Sequence, residues 1–288
     1  MARATTLSAI PDLRRLYASA AFHRGTDRDS VPDERFTLAG LNVDLDDLAD
    51  YSHLCGFSLT GILPLTYPHL LAFPLQMVAM AGDGFPLPLL GAVHVENVVT
   101  VHRPLYADDL LDLVVHAQNL RPHRRGRQVD LVTEVSVAGE LAWHGVSTYL
   151  ARGAEHPKAS TTPPPSLDGA AAPTEAASYP VWHLGENTGR SYAAVSGDWN
   201  PIHVHALTAR PLGFPSAIAH GMFTYARAVA ALAPRLPDAG VTSRVWFRKP
   251  VRLPSTVRLR SVVTPGRTLS RLESAHAAVE HAVIEQVW

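Results

Sequence analysis

The chain carries a single cysteine, Cys55, among 288 residues. One thiol excludes an intramolecular disulfide framework and any multi-cysteine zinc site, and a reducing cytoplasm is the simplest expected compartment. Charge of one sign is equally scarce. The 25 Lys and Arg are balanced by 26 Asp and Glu, leaving a formal net charge of −1, so no global field for nucleic acid or an anionic membrane is expected. Long apolar runs are missing as well. The nearest, Leu70–Gly82, contains Pro74 and Gln76 and falls short of the roughly 18 apolar residues of a membrane helix. Asp12, Arg14 and Arg15 occupy the place where a signal peptide needs its apolar stretch, which points to a soluble, unexported protein. What the chain does have is enough for a sizeable core: 47% of residues are hydrophobic and only 18% charged, which excludes global disorder.

Residues 153–180 are dominated by Pro, Ala, Ser and Thr and nearly lack large apolar side chains. Such a stretch cannot offset its ordering entropy by burial and reads as a linker. It separates a first half over 33–152, preceded by an N-terminal arm over 1–32, from a second half over 181–288. The halves echo one another. Val101-His-Arg-Pro-Leu105 followed by Leu111 and Leu113 parallels Phe247-Arg-Lys-Pro-Val251 followed by Val257 and Leu259. Each pair of strands follows an apolar helical stretch, Leu75–Ala81 or Ala219–Leu232, which predicts a duplicated domain. A short strand, a helix (Leu45–Leu54 or Glu186–Val195), an irregular Pro-rich segment, the apolar helix and a run of Val- and Thr-rich strands make up each half. This is an α+β layer architecture, one helix against one antiparallel sheet. Pro74 at a first turn and Gly82 at an end limit the first apolar helix to about nine residues, near 13 Å; the second, Ala219–Ala233, spans roughly 22 Å.

The stretch that carries chemistry runs Tyr192-Ala-Ala-Val-Ser196-Gly-Asp198-Trp-Asn200-Pro-Ile-His203-Val-His205 and continues to Ile218-Ala-His-Gly221-Met222. A helix ending near Ser196-Gly197 is followed by a turn closed at Asn200-Pro201. That turn can bring the Asp198 carboxylate and the His203 imidazole to one point, where they can orient a water and move protons near neutral pH. A backbone N–H at Gly221, ahead of an apolar helix, suits a developing oxyanion. Each residue also has a plainer use: Asp198 as an Asx-turn residue, His203 as an ordinary core or surface histidine, Gly221 as a point of close helix packing. His203 and His205 are spaced as half a metal site only on a strand, which Pro201 opposes. No Glu or Cys completes a ligand set, so no metal is expected.

The combination Tyr-x-x-Val-Ser-Gly-Asp-x-Asn-Pro-Ile-His, with Ile-Ala-His-Gly-Met downstream, closely resembles the hydratase 2 motif of MaoC-like (R)-specific enoyl-CoA hydratases. The resemblance implies a double hot-dog fold, each half an antiparallel sheet wrapped around an apolar helix. It also implies hydration of trans-2-enoyl thioesters, or dehydration of (3R)-hydroxyacyl thioesters, carried on CoA or acyl carrier protein. Asp198 and His203 match the catalytic pair, Asn200 and Ser196 support the turn, and Gly221 matches the glycine whose N–H polarises the thioester carbonyl. No metal or redox cofactor is implied. The first half lacks the motif: Thr60–His69 keeps prolines and His69 but no Asp-x-Asn, so one active site per chain is expected.

From Arg235 to Arg271 nine basic residues face only Asp238. This is either a solvated sheet face or a rim for the carrier's phosphates, with Arg248 and Lys249 as candidate contacts on opposite faces of a strand. The expected partners are therefore an acyl-CoA or acyl-carrier-protein thioester and a second copy in a homodimer, without nucleic acid or a membrane span. An acyl thioesterase and a catalytically silent acyl-thioester-binding subunit are the competing readings. The short first helix further suggests an acyl-chain tunnel in the first half, with packing by Leu59–Leu71 as the plainer alternative.

Overall fold

The computed structural model describes residues 3–20, 25–26, 28–82, 84–88, 91–154, 156–159, 163–167 and 179–288. The structure divides into two compact units: Met1–Ala49 with Thr60–Thr162, and Asp50–Leu59 with Pro163–Trp288. The N-terminal arm thus belongs to the first unit, and the Pro-rich segment is divided between the two. Of that segment, residues 155, 160–162 and 168–178 lie outside the described residues, as do 1–2, 21–24 and 27 of the arm.

The first unit opens with β1 (Arg3–Thr6) and α1 (Leu13–Ala20), followed by β2 (Glu34–Leu41), the start of α2 (Leu45–Cys55), whose residues from Asp50 on fall to the second unit, and α3 (Tyr67–Ala81). The long strands β3 (Val93–Val101), β4 (Leu111–His123), β5 (Gly126–Val137) and β6 (Glu140–Arg152) complete it. Their order is β1-β2-β4-β5-β6-β3, antiparallel throughout except for β1, which runs parallel to β2. The second unit contains β7 (Val181–Leu184), α4 (Thr188–Ser196), α5 (Pro201–Val204), α6 (Ala206–Ala209), α7 (Gly221–Leu232), β8 (Val241–Phe247), β9 (Ser255–Thr264), β10 (Arg267–Ser274) and β11 (Glu280–Val287). Its order is β8-β11-β10-β9-β7. With β1, α1 and the short α5 and α6 set aside, the two halves have the same succession of strands and helices and the same strand order. The echo in the sequence is therefore a repeat of topology.

Alternation along the strands explains the layers. In β4 the residues Leu111, Leu113 and Val115 are buried and their neighbours are half-buried, the pattern of a sheet with one face on a core. Helix α3 packs on β2, β4 and β5 and is buried nearly all round, as a helix must be when no side of it meets water.

Three elements differ from the sequence reading. Helix α3 has 15 residues with Pro74 inside it, about 22 Å, whereas α7 has 12, about 18 Å. Pro68 sits in the first turn of α3 and so takes the starting role given to Pro74. The arm is also part of the fold: Leu13, Leu16, Tyr17 and Val31 pack on the cluster of Phe73, Met77, Met80 and Phe85, and β1 extends the sheet. Finally, the Pro-rich segment makes contacts despite its composition. Leu167 packs on Trp246, Leu269 and Val283, and the Pro180 carbonyl accepts from the Leu259 N–H at 2.9 Å.

Candidate active site

In the second unit, residues 197–220 lie between α4 and α7, against only 56–66 between α2 and α3. This longer excursion holds the site. Helix α4 ends on Gly197, whose φ of 71° and N–H bond to the Ala193 carbonyl make a left-handed cap, a conformation that favours glycine. Ser196 joins the helix to the turn. Its hydroxyl donates to the Tyr192 carbonyl at 2.8 Å and accepts from the Asp198 N–H at 3.2 Å. Asn200 then closes the turn in three ways. Its N–H donates to Asp198 Oδ1 at 3.2 Å, its Oδ1 accepts from the Ile202 N–H at 3.3 Å, and its carbonyl accepts from the His203 N–H at 2.9 Å. The Asx geometry is real and leaves room for a functional use of Asp198, because the turn that Oδ1 helps build also fixes where the carboxylate points.

Helix α5 is held to residue 218 twice. The Ile218 N–H donates to the Ile202 carbonyl at 3.0 Å, and His203 Nδ1 lies 2.8 Å from the Ile218 carbonyl. A carbonyl can only accept, so Nδ1 carries the proton and Nε2 is left with its lone pair. Ile218 is itself fixed by a bridge to Arg252 and by the bonds of its neighbours Ala217 and Ala219 to Leu253 and Val251. The resulting tautomer is the one a general base needs. Burial pushes the His203 pKa down, and the Asp198 charge and the Ile218 carbonyl only partly offset this. The imidazole is therefore neutral at pH 7.

A third side chain joins this pair. His220, the residue before α7, is 2% exposed, and its ring stacks on that of His203 at 3.7 Å with a 28° tilt. Its Nε2 lies 2.9 Å from the Asp198 carbonyl and 3.7 Å from Asp198 Oδ2. One oxygen of Asp198 and one nitrogen from each histidine lie within 4.8 Å of one another. The trio nevertheless presents a poor cradle for a metal. Rings stacked nearly parallel aim their in-plane lone pairs side by side rather than at a common point, and each ring has one nitrogen bonded to a carbonyl. His205 takes no part: it is exposed and caps α6, accepting from the Leu207 N–H at 3.1 Å.

Gly221 opens α7, where N–H groups have no intrahelical acceptor. A Cβ there would lie 2.9 Å from Cε1 of Phe247, so close packing favours glycine at this position. Two residues of the site escaped the sequence reading. His220 was in view within Ile-Ala-His-Gly-Met, but only its fold-back onto Asp198 shows its use. Gly189 in α4 gave no local signal. A Cβ on it would meet the His203 carbonyl oxygen at 1.9 Å, so α4 can approach α5 only through glycine.

The remaining candidates stand apart from this cluster. Strand β8 ends at Phe247, so Arg248 and Lys249 are both exposed in the turn that follows and strand alternation does not divide them. The Arg248 guanidinium lies 3.6 Å from Glu280. Much of the basic stretch is neutralised across the sheet: Arg258 and Arg271 pair with Glu273, and Arg267 pairs with Glu285. In the first unit, His69 Nδ1 lies 3.4 Å from Ser147 Oγ and its ring stacks near His94.

Residues 168–285 match the family described as MaoC like domain. Over 231 residues the chain is 42% identical to 3-hydroxyacyl-thioester dehydratase X of Mycobacterium tuberculosis, covering 80% of this chain and 81% of that protein. It is 38% identical over 76 residues to the (R)-specific enoyl-CoA hydratase of Rhodospirillum rubrum, covering 25% of this chain and 53% of that one. Among solved structures, HtdX of Mycobacterium tuberculosis superposes with a TM-score of 0.75 at 37% identity, over 88% of this chain and 98% of that one.

Proposed function

Because the chain belongs to the MaoC-like family of hot-dog dehydratases, we propose that it is a hydro-lyase interconverting trans-2-enoyl and (3R)-hydroxyacyl thioesters, with Asp198 and His203 as its catalytic pair. The observation that carries the assignment of the pair is the His203 Nδ1–H bond to the Ile218 carbonyl, which leaves Nε2 basic on a ring with one nitrogen within 4.8 Å of an Asp198 carboxylate oxygen.

In the hydration direction the two side chains hold one water. His203 Nε2 takes a proton from it as the oxygen bonds to C3, and the C2–C3 double-bond electrons move onto the thioester oxygen. The Gly221 N–H at the positive end of α7 stabilises that enolate oxygen. Return of the proton to C2 completes the addition of one water, and dehydration is the same path reversed. The thioester acidifies C2 by itself, so the reaction calls for no metal or redox cofactor. CoA or the phosphopantetheine of an acyl carrier protein is the carrier we assign, in the cytoplasm, and a homodimer is the assembly we assign. Among the described residues no helix is long and apolar enough to cross a membrane.

The test is the absorbance of crotonyl-CoA with purified protein, followed by the chirality of the product, with a thiol reagent present in parallel. Loss of enoyl absorbance with (3R) product and no free thiol is expected. Thiol release would instead identify a thioesterase, and ligand binding without either change would identify a silent binding subunit.

A further inference from the structure

We propose that His220 is a positioning residue, whose Nε2–H latches the turn bearing Asp198 to the start of α7 and whose ring forms the floor under His203. The inference rests on the reading of Asp198, His203 and Gly221 given above and assigns a role to a side chain outside that set.

The latch spans 22 residues: Nε2 of His220 lies 2.9 Å from the Asp198 carbonyl. That carbonyl can only accept, so Nε2 carries the proton and the ring is the Nε2–H tautomer. Gly221 is the next residue along the chain. One hydrogen bond thus sets the spacing between the carboxylate that orients water and the N–H that receives enolate charge. Misplacement of such groups by about 1 Å can cost on the order of 10²-fold in rate.

His220 does not itself meet substrate. It is 2% exposed, and its Nδ1 is sealed from solvent without a partner among the described residues. It also stays uncharged. Asp198, His203 and Tyr192 are the titratable groups facing the ring; burial and the adjoining His203 push its pKa down to about 3 against the pull of Asp198. Neutrality suits the role. His203 becomes an imidazolium when it accepts the water's proton, and a second cation stacked at 3.7 Å would oppose that transfer.

Three variants of the full chain separate this role from simple core packing. Gln places its amide nitrogen near the position of Nε2 and keeps the donor, Asn places it near Nδ1 and loses the latch, and Phe keeps a ring without a donor. Expected are kcat values lowered about 10-fold or more in His220→Asn and His220→Phe with KM within about threefold, and a His220→Gln variant that recovers most of kcat. Folding is checked by circular dichroism and Tm. A folded Asn or Phe variant with near wild-type kcat, or one altered only in KM, overturns the proposal. Wild-type protein supplies a second readout that needs no variant: imidazole 15N NMR should show His220 as the neutral Nε2–H tautomer from pH 5 to 8, and a titrating ring or the Nδ1–H tautomer overturns the proposal. Asp198→Asn serves as the control. If it keeps activity, the underlying site reading fails; if it is inactive while His220→Asn is normal, only the role of His220 fails.

Discussion

At the scale of single residues, the motif was legible because its parts are neighbours in the chain. Ser196, Asp198, Asn200 and His203 lie within eight positions, and the bonds joining them are set by local turn geometry. Asp198→Asn and His203→Ala should each lower turnover by about 10²-fold or more. If both act on one water, the double variant should be little slower than either single one; additive losses in a kinetic comparison would show that they act separately. Gly189 was illegible for the opposite reason. Its constraint comes from a carbonyl fourteen residues on, through packing. Gly189→Ala forces a Cβ into the His203 carbonyl oxygen, at 1.9 Å in the present backbone. That atom is main chain and cannot swing aside, so Tm and kcat should fall together. Wild-type kcat with an unchanged Tm would show that α4 and α5 can part freely.

The order of elements was legible because periodicity is local: in each half a short strand, a helix, the apolar helix and a run of strands, β3–β6 or β8–β11, follow in the expected order. Misreadings arose where tertiary context overrode a local rule. Pro74 reads as a helix start because a prolyl ring clashes with the preceding turn, yet α3 runs through it, wrapped in buried contacts on nearly every side. The first half's helix is the longer of the two, so no short helix leaves sheet surface there for an acyl tunnel to fill. The basic stretch shows the same override. Counting along the chain pairs those residues with Asp238 alone, whereas sheet register brings Glu273, Glu280 and Glu285 beside Arg258, Arg271, Arg248 and Arg267. Lys249 has a different setting, exposed on the turn that His281 clamps through its Nδ1 and its carbonyl. If that turn meets the carrier's phosphates, Lys249→Glu should raise KM severalfold with kcat unchanged, and the effect should shrink as salt shortens the Debye length to about 3 Å near 1 M. Arg248→Glu should do less, since Glu280 already shares its charge. A KM unmoved by either reversal removes these residues from carrier binding.

At the scale of the whole molecule, two units of one topology carry one motif, and in both of them burial, whole or partial, lowers histidine pKa values. In the first unit the pKa values of His116 and His144 are pushed down chiefly by burial. In the second, those of His203, His220 and His281 are lowered for the same first cause. The linkage has a definite sign. Below the unfolded value near 6.5 the unfolded chain binds protons that the folded chain excludes, so stability present above that pH is lost as the pH falls towards the folded values, about 3 for His220. A sealed histidine withdraws at most about 1.4 kcal/mol per pH unit across this window, and several act together. Carboxylates titrate near 4 and contribute little between pH 6.5 and 5, which isolates the histidine effect. Thermal unfolding should therefore show Tm falling steadily from pH 7 to 5, with a shallower slope in His220→Gln, where one excluded proton site is gone. A Tm that is flat or rises over that interval would mean that these rings take up protons in the folded protein as readily as in the unfolded chain, and the neutral His203–His220 stack would have to be abandoned with it.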